Sequence, residues 1–166
     1  GLRKGELLAL TSDDIGSATI RVNKSLFWDN NKPDIKTPKT EKGFREVPII
    51  NSLKPWLPKK KGILFDENGR YMRDSYFQKN WYKWCDELGI HCTPHQLRHR
   101  YATMLFDNSV DPKLAGAILG HAQISTTMDI YTDILDSKKK FEGLYQMDIK
   151  PSHCGRPLKK CGQISR

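Results

Sequence analysis

The run His95-Gln96-Leu97-Arg98-His99-Arg100-Tyr101-Ala102-Thr103, with Leu119-Gly120-His121 and Ser125-Thr126-Thr127-Met128-Asp129-Ile130-Tyr131 beyond it, decides how this chain is read. Thr93 and Pro94 stand just ahead of it as a cap and a first helical proline, so a helix is expected to open there. His95 and Arg98 are three residues apart and therefore share one helical face. A guanidinium fork matches phosphate oxygens bidentately, which a lysine point charge cannot do. Asp111-Pro112 opens a further helix by the same logic and Gly120 closes it, leaving His121 at a helix end. Ser125 is read as the cap of the helix bearing Tyr131. A phenol with an ordinary pKa of about 10 is a poor nucleophile near neutrality. It needs a base and fixed cations beside it, and this stretch offers both.

Working back toward the first residue, Gly5 to Leu10 reads as a short apolar helix, and Thr11-Ser12-Asp13-Asp14 breaks it with turn chemistry. Read alone, Arg3 is a surface arginine paired with Glu6 three residues on. Residues 17–50 change texture. Ala18 to Val22 alternates with period two, as does Phe44 to Ile49 less cleanly, with turn residues at Asp29-Asn30-Asn31 and Glu41-Lys42-Gly43. This predicts a small antiparallel three-stranded sheet over about residues 17–27, 33–38 and 44–49, with Lys39 at the tip of its second hairpin. Asn51 to Pro58 reads as a short helix. Arg73 to Leu88 is the clearest amphipathic helix, with Phe77, Trp81, Trp84 and Leu88 taken as core and Gly89 as its stop. Ala102, Leu105 and Phe106 are expected to face the core. A terminal helix is expected over residues 136–149, with Phe141, Leu144 and Tyr145 apolar.

Together the His95-Gln96-Leu97-Arg98-His99 run, the Leu119-Gly120-His121 tripeptide and Tyr131 resemble the tyrosine recombinase (phage integrase) family. Two further blocks agree: Gly1-Leu2-Arg3-Lys4-Gly5-Glu6, and Thr37-Pro38-Lys39-Thr40 followed by Arg45-Glu46-Val47-Pro48. The resemblance implies an α+β fold, mainly helical, with the small sheet near the N-terminus. It implies a catalytic domain over residues 1–149, lacking its first helices and the N-terminal core-binding domain, then a basic tail over residues 150–166 expected to be disordered. It further implies DNA strand transesterification through a 3′-phosphotyrosine link. Tyr131 would be the nucleophile, Arg3 and Arg98 would grip the phosphate, and His121 would add a hydrogen bond. His95 would assist proton transfer, and Lys39 would protonate the leaving 5′-oxygen. Glu6 would hold Arg3 in place, and His99 would be hydrogen-bonded within the fold. Lys36 and Lys42 compete with Lys39 on charge alone, and Tyr101 and Tyr145 are rival phenols. Arg100 departs from the small or hydroxylated residue common at that position.

Composition fits this reading without deciding it. The net charge is +9, but the stretch from Lys150 onward holds five basic residues and no acidic one, and without it the balance is only +4. No apolar run reaches the roughly 18 residues a membrane helix needs, so a cytoplasmic protein is expected. Cys85, Cys92, Cys154 and Cys161 form neither a CxxC pair nor a dense framework, and free thiols are expected. Neither metal nor nucleotide is called for. The expected partners are double-stranded DNA, further copies of the chain as dimers or a tetramer, and accessory DNA-bending proteins. Three rivals stand: a type IB topoisomerase, an inactive DNA-binding remnant, and a metal nuclease built on His91, Cys92, His95 and His99.

Overall fold

A computed structural model describes the backbone of residues 1–38, 43–121 and 123–141, with side chains as far as Asp136. Helix α1 (Lys4–Leu8) comes first, and a 3-10 turn at Ser12–Asp14 leads into strands β1 (Thr19–Val22), β2 (Ser25–Asp29), β3 (Lys32–Lys36) and β4 (Arg45–Pro48). A 3-10 helix (Asn51–Trp56) and the short hairpin β5 (Asp66–Glu67) and β6 (Arg70–Tyr71) follow. Four helices complete the described residues: α2 (Asp74–Leu88), α3 (Pro94–Asp107), α4 (Pro112–Leu119) and α5 (Ile124–Phe141). The class is α+β with a helical majority, as expected.

The predicted three-stranded sheet is instead two separate pairs, β1 with β4 and β2 with β3, both antiparallel. The break falls at Asn23-Lys24. Lys24 leaves the strand to pair with Asp14 at 2.5 Å, and Asn23 donates to the other oxygen of the same carboxylate. The β2–β3 hairpin turns on Asn30 and Asn31, both at positive φ (45° and 64°), the conformation a two-residue hairpin loop requires.

Two apolar clusters support this half. Leu8, Ala9, Leu26, Met72 and Phe77 form one, and Leu10, Ile20, Ile49 and Leu64 the other, with Phe65 packed against both. Each fully buried Leu, Ile, Met or Phe side chain contributes roughly 1.5–3 kcal/mol. Helix α2 buries Phe77 and Cys85, with Trp81 packed against the first cluster. Trp84 and Leu88, expected in the core, are 41% and 59% exposed. The buried stripe follows a spacing of four from Phe77 through Trp81 to Cys85, which turns Trp84 and Leu88 outward. The Trp81 indole N–H is satisfied by the Cys92 carbonyl at 2.8 Å.

Thr93 caps α3 by a reciprocal pair of bonds with Gln96, and Asp111 caps α4 through the Lys113 and Leu114 amides. Helix α5 begins at Ile124, so Ser125 lies in its first turn rather than capping it. It runs unbroken past Asp136, where the sequence suggested a second helix. The expected apolar positions Leu144 and Tyr145, and the tail, lie outside the described residues. Among the described residues no helix is long and apolar enough to cross a membrane.

Gly120 ends α4 in the left-handed region (φ 70°), and a Cβ there would lie 2.7 Å from Arg45 Nη1. Gly89 ends α2 at φ 65° with nothing within 4 Å of the same position. Left-handed backbone costs a non-glycine residue about 1–2 kcal/mol, and overpacking a further 1–3 kcal/mol or so. Urea unfolding should therefore show Gly120→Ala losing about 1–3 kcal/mol more than Gly89→Ala. Equal losses would mean that Arg45 makes no close contact there.

Candidate active site

The last carbonyls of a helix have no partners within it. At the end of α4 two are closed by the chain itself, since the Gly120 amide donates to Ala117 and the His121 amide to Gly116. The next three are met by three arginines from distant parts of the sequence. Arg45 Nε donates to the Ile118 carbonyl at 2.9 Å, Arg98 Nη2 to Leu119 at 2.6 Å, and Arg3 Nη2 to Gly120 at 2.8 Å. The negative end of the helix dipole favours cations at this point.

A single carboxylate ties two of these cations together. Glu6 accepts from both terminal nitrogens of Arg45 (3.0 and 2.7 Å), from Arg3 Nη1 (2.9 Å) and from the Arg3 amide (2.8 Å). Burial works to raise the Glu6 carboxyl, but the Arg45 hydrogen bonds and then those from Arg3 outweigh it, bringing it down to about 2. Arg98 is buried, and its Nη1 donates to the Gly1 carbonyl at 2.7 Å. Burial, then the Arg3 charge, lowers the Arg98 guanidinium to about 10, so it stays cationic at neutral pH. Three guanidiniums against one carboxylate leave a positive excess.

This sets a pH dependence. Between the ordinary carboxylate range and about 2, the unfolded chain binds a proton at Glu6 that the folded chain does not. The contribution to stability is fully present above pH 4.5 or so and disappears as pH falls toward 2, and it is on the order of 3 kcal/mol. Urea unfolding followed from pH 5 to pH 2 should show this slope in the parent chain and a shallower one in Glu6→Gln.

His121 follows directly. Its Nδ1 lies 2.8 Å from Thr127 Oγ1, and Thr127 is fully buried where α5 crosses Gly116. Burial, then the charges of Arg98, Arg3 and Arg45, lowers its pKa, so the ring is neutral at pH 7. His95 and His99 meet through their Nε2 atoms at 3.0 Å, with rings edge to face. One of them must donate and the other accept. His95, Arg98, His99 and His121 line one cleft of about 230 Å³, and α5 closes it with Thr126, Asp129 and Asp133. A wider cleft beside Lys32 and Arg70 lies elsewhere, and its Arg73 is already paired with Glu67.

Arg3, Glu6, Arg98 and His121 thus come together, with His95 and His99 on the rim. Tyr131 does not join them. It is 7% exposed, its hydroxyl donates to the Val110 carbonyl at 2.9 Å, and its ring meets Phe106 edge-on at 4.9 Å. Burial, then the Asp111 charge, raises the phenol pKa. Its neighbour Ile130 reaches the cleft, and successive side chains on a helix point about 100° apart. Lys39 lies outside the described residues. Among the described residues, no group of three or more His, Cys, Asp or Glu is placed to hold a metal ion, so the nuclease reading gains no geometric support.

Two residues of the site carried no role in the sequence reading. Thr127 gave no signal beyond a polar residue in a helix. Arg45 did: in β4 it alternates with the buried Val47, and Ile49 follows, which places an arginine on the inward face.

Residues 1–138 match the Phage integrase family. A XerC-like tyrosine recombinase of Caldanaerobacter subterraneus subsp. tengcongensis is 31% identical over 172 residues, covering 84% of this chain and 44% of that protein. The ICEBs1 integrase of Bacillus subtilis is 30% identical over 162 residues, with the same two coverages. The chain thus spans less than half the length of these relatives. Among solved structures, the Tn1549 transposon integrase in complex with circular intermediate DNA superposes with a TM-score of 0.66 at 22% identity, over 83% of this chain and 55% of that one. The XerA recombinase gives 0.58 at 26% identity, over 85% and 52%. The match along most of the sequence and the shared fold agree: the chain belongs to the phage integrase family.

Proposed function

We propose that this chain is the catalytic part of a site-specific DNA recombinase that cuts and rejoins strands through a 3′-phosphotyrosine link. The observation that carries this reading is the convergence of Arg3, Arg98 and His121 at the end of α4. Preorganised donors there suit the charge that builds on a phosphate under attack. Tyr131 Oη attacks phosphorus and the bond to the 5′-oxygen breaks. His95 helps to take the phenolic proton, and Lys39 supplies one to the departing oxygen. The link conserves the energy of the broken bond, so the 5′-hydroxyl of a partner strand reverses the step. The scheme uses no cofactor. Tyr131 must first leave the Val110 carbonyl, which requires α5 to turn or shift once DNA and further copies of the chain are in place. The proposed compartment is the cytoplasm, where the DNA substrate is found.

The test is a duplex with a nick beside the scissile phosphate, so that the short 5′ product diffuses away and the adduct accumulates. The expected result is labelled DNA that stays on the protein through denaturation and maps to Tyr131. A wild-type chain that binds DNA but never forms the adduct would leave a second reading in place, an inactive DNA-binding piece, which the burial of Tyr131 favours.

A further inference from the structure

We propose that Arg45 is a positioning residue for the cleavage step, fixing the aim of Arg3 at the phosphate by holding the Glu6 carboxylate and the Ile118 carbonyl beside it. The inference rests on the recombinase reading. Arg3 has a side chain 48% exposed, and a guanidinium that free samples many rotamers. It is held at two places, the Glu6 carboxylate and the Gly120 carbonyl. Arg45 bonds to the first and lies beside the residue that bears the second. Its terminal nitrogens engage both oxygens of Glu6, and its guanidinium lies against the Gly120 backbone so closely that a Cβ there would be 2.7 to 2.9 Å from three of its atoms. Its Nε fixes the preceding Ile118 carbonyl. Arg45 does not line the cleft that Arg98 and His121 share, and all three of its guanidinium nitrogens are engaged by Glu6 and Ile118, so its effect passes through Arg3.

A structural ion pair would look similar, but it would act differently. Removing one partner of a buried pair costs stability whatever its role, so stability alone does not identify the role. The protonation of Glu6 does. The charged groups facing Glu6 are Arg45 and Arg3, with Arg98 and the Gly1 amino group nearby. In Arg45→Met the hydrogen bonds that most lower the Glu6 carboxyl are gone while its burial remains, so its pKa rises above the parent's. Arg3 then loses its anchor in a pH-dependent way.

The experiment measures single-turnover adduct formation on the nicked duplex from pH 5.5 to 8.5, as the ratio of each variant to the parent chain, with gel-shift affinity alongside. For Arg45→Met the expected ratio is about 10⁻² at neutral pH, the cost of a misplaced donor. The deficit should grow as pH falls, while DNA affinity changes less than about threefold. Arg45→Met combined with Glu6→Gln should be equally slow with a pH-independent ratio. Arg45→Lys keeps Glu6 ionised but cannot span Glu6 and Ile118 together, so its ratio should be about 10⁻¹ and flat. A folded Arg45→Met within about threefold of the parent overturns the inference, as does a deficit that is flat with pH or matched by lost affinity. Should Arg45→Met not fold, parental rates in Arg45→Lys overturn it. A parent chain that binds DNA without forming the adduct overturns the recombinase reading itself.

Discussion

Tyr131→Phe is expected to form no covalent adduct on the nicked duplex, while its affinity for DNA stays within about twofold of the parent chain's. Binding to a duplex rests on many phosphate contacts and on counterion release, none of which needs one phenolic oxygen. The variant keeps its ring against Phe106 and loses only the bond to Val110. One such bond contributes about 1 kcal/mol, so urea unfolding should move little and the lost activity cannot be blamed on lost fold. Tyr101→Phe is the matched control. An adduct surviving in Tyr131→Phe and vanishing in Tyr101→Phe would transfer the nucleophile to the other phenol.

Arg98→Ala should slow adduct formation by at least 10² to 10³, the usual cost of one preorganised donor at a centre of developing charge. The deficit should exceed that of any other single guanidinium, because Arg98 is buried and bonded to carbonyls from two distant segments. Arg98→Lys should recover little of the rate. An ammonium is a point charge and cannot hold the Gly1 and Leu119 carbonyls while also facing a phosphate. Single-turnover rates at saturating DNA separate this from weakened binding. A rate within tenfold of the parent would remove Arg98 from the chemistry.

The parts of the fold that were legible in the sequence are those fixed by neighbours along the chain. Thr93-Pro94, Asp111-Pro112, Gly89 and Gly120 each act within a turn of where they stand, and the helix ends fall there. The sheet was not legible in the same way, because β1 pairs with the distant β4, and the break between β1 and β2 depends on Lys24 turning toward Asp14. Arg3, Arg98 and His121 were reached through family resemblance, not through any local rule. The arrangement that unites them, three arginines on three consecutive carbonyls, is a tertiary fact. Tyr131 shows the limit most clearly. Its motif placed it at the chemistry, but on α5 it shares the buried face with Thr127, and burial of the ring decides where it points.

That buried ring has a kinetic meaning for the proposed reaction. A phenol parked on the Val110 carbonyl is a safety catch, and lifting it forfeits a hydrogen bond and part of the shelter of an aromatic side chain. Every 1.4 kcal/mol or so of that penalty makes armed copies about tenfold rarer. In the proposed reaction a lone copy on a stray duplex would be armed only rarely, and contacts that stabilise the displaced helix would raise that fraction.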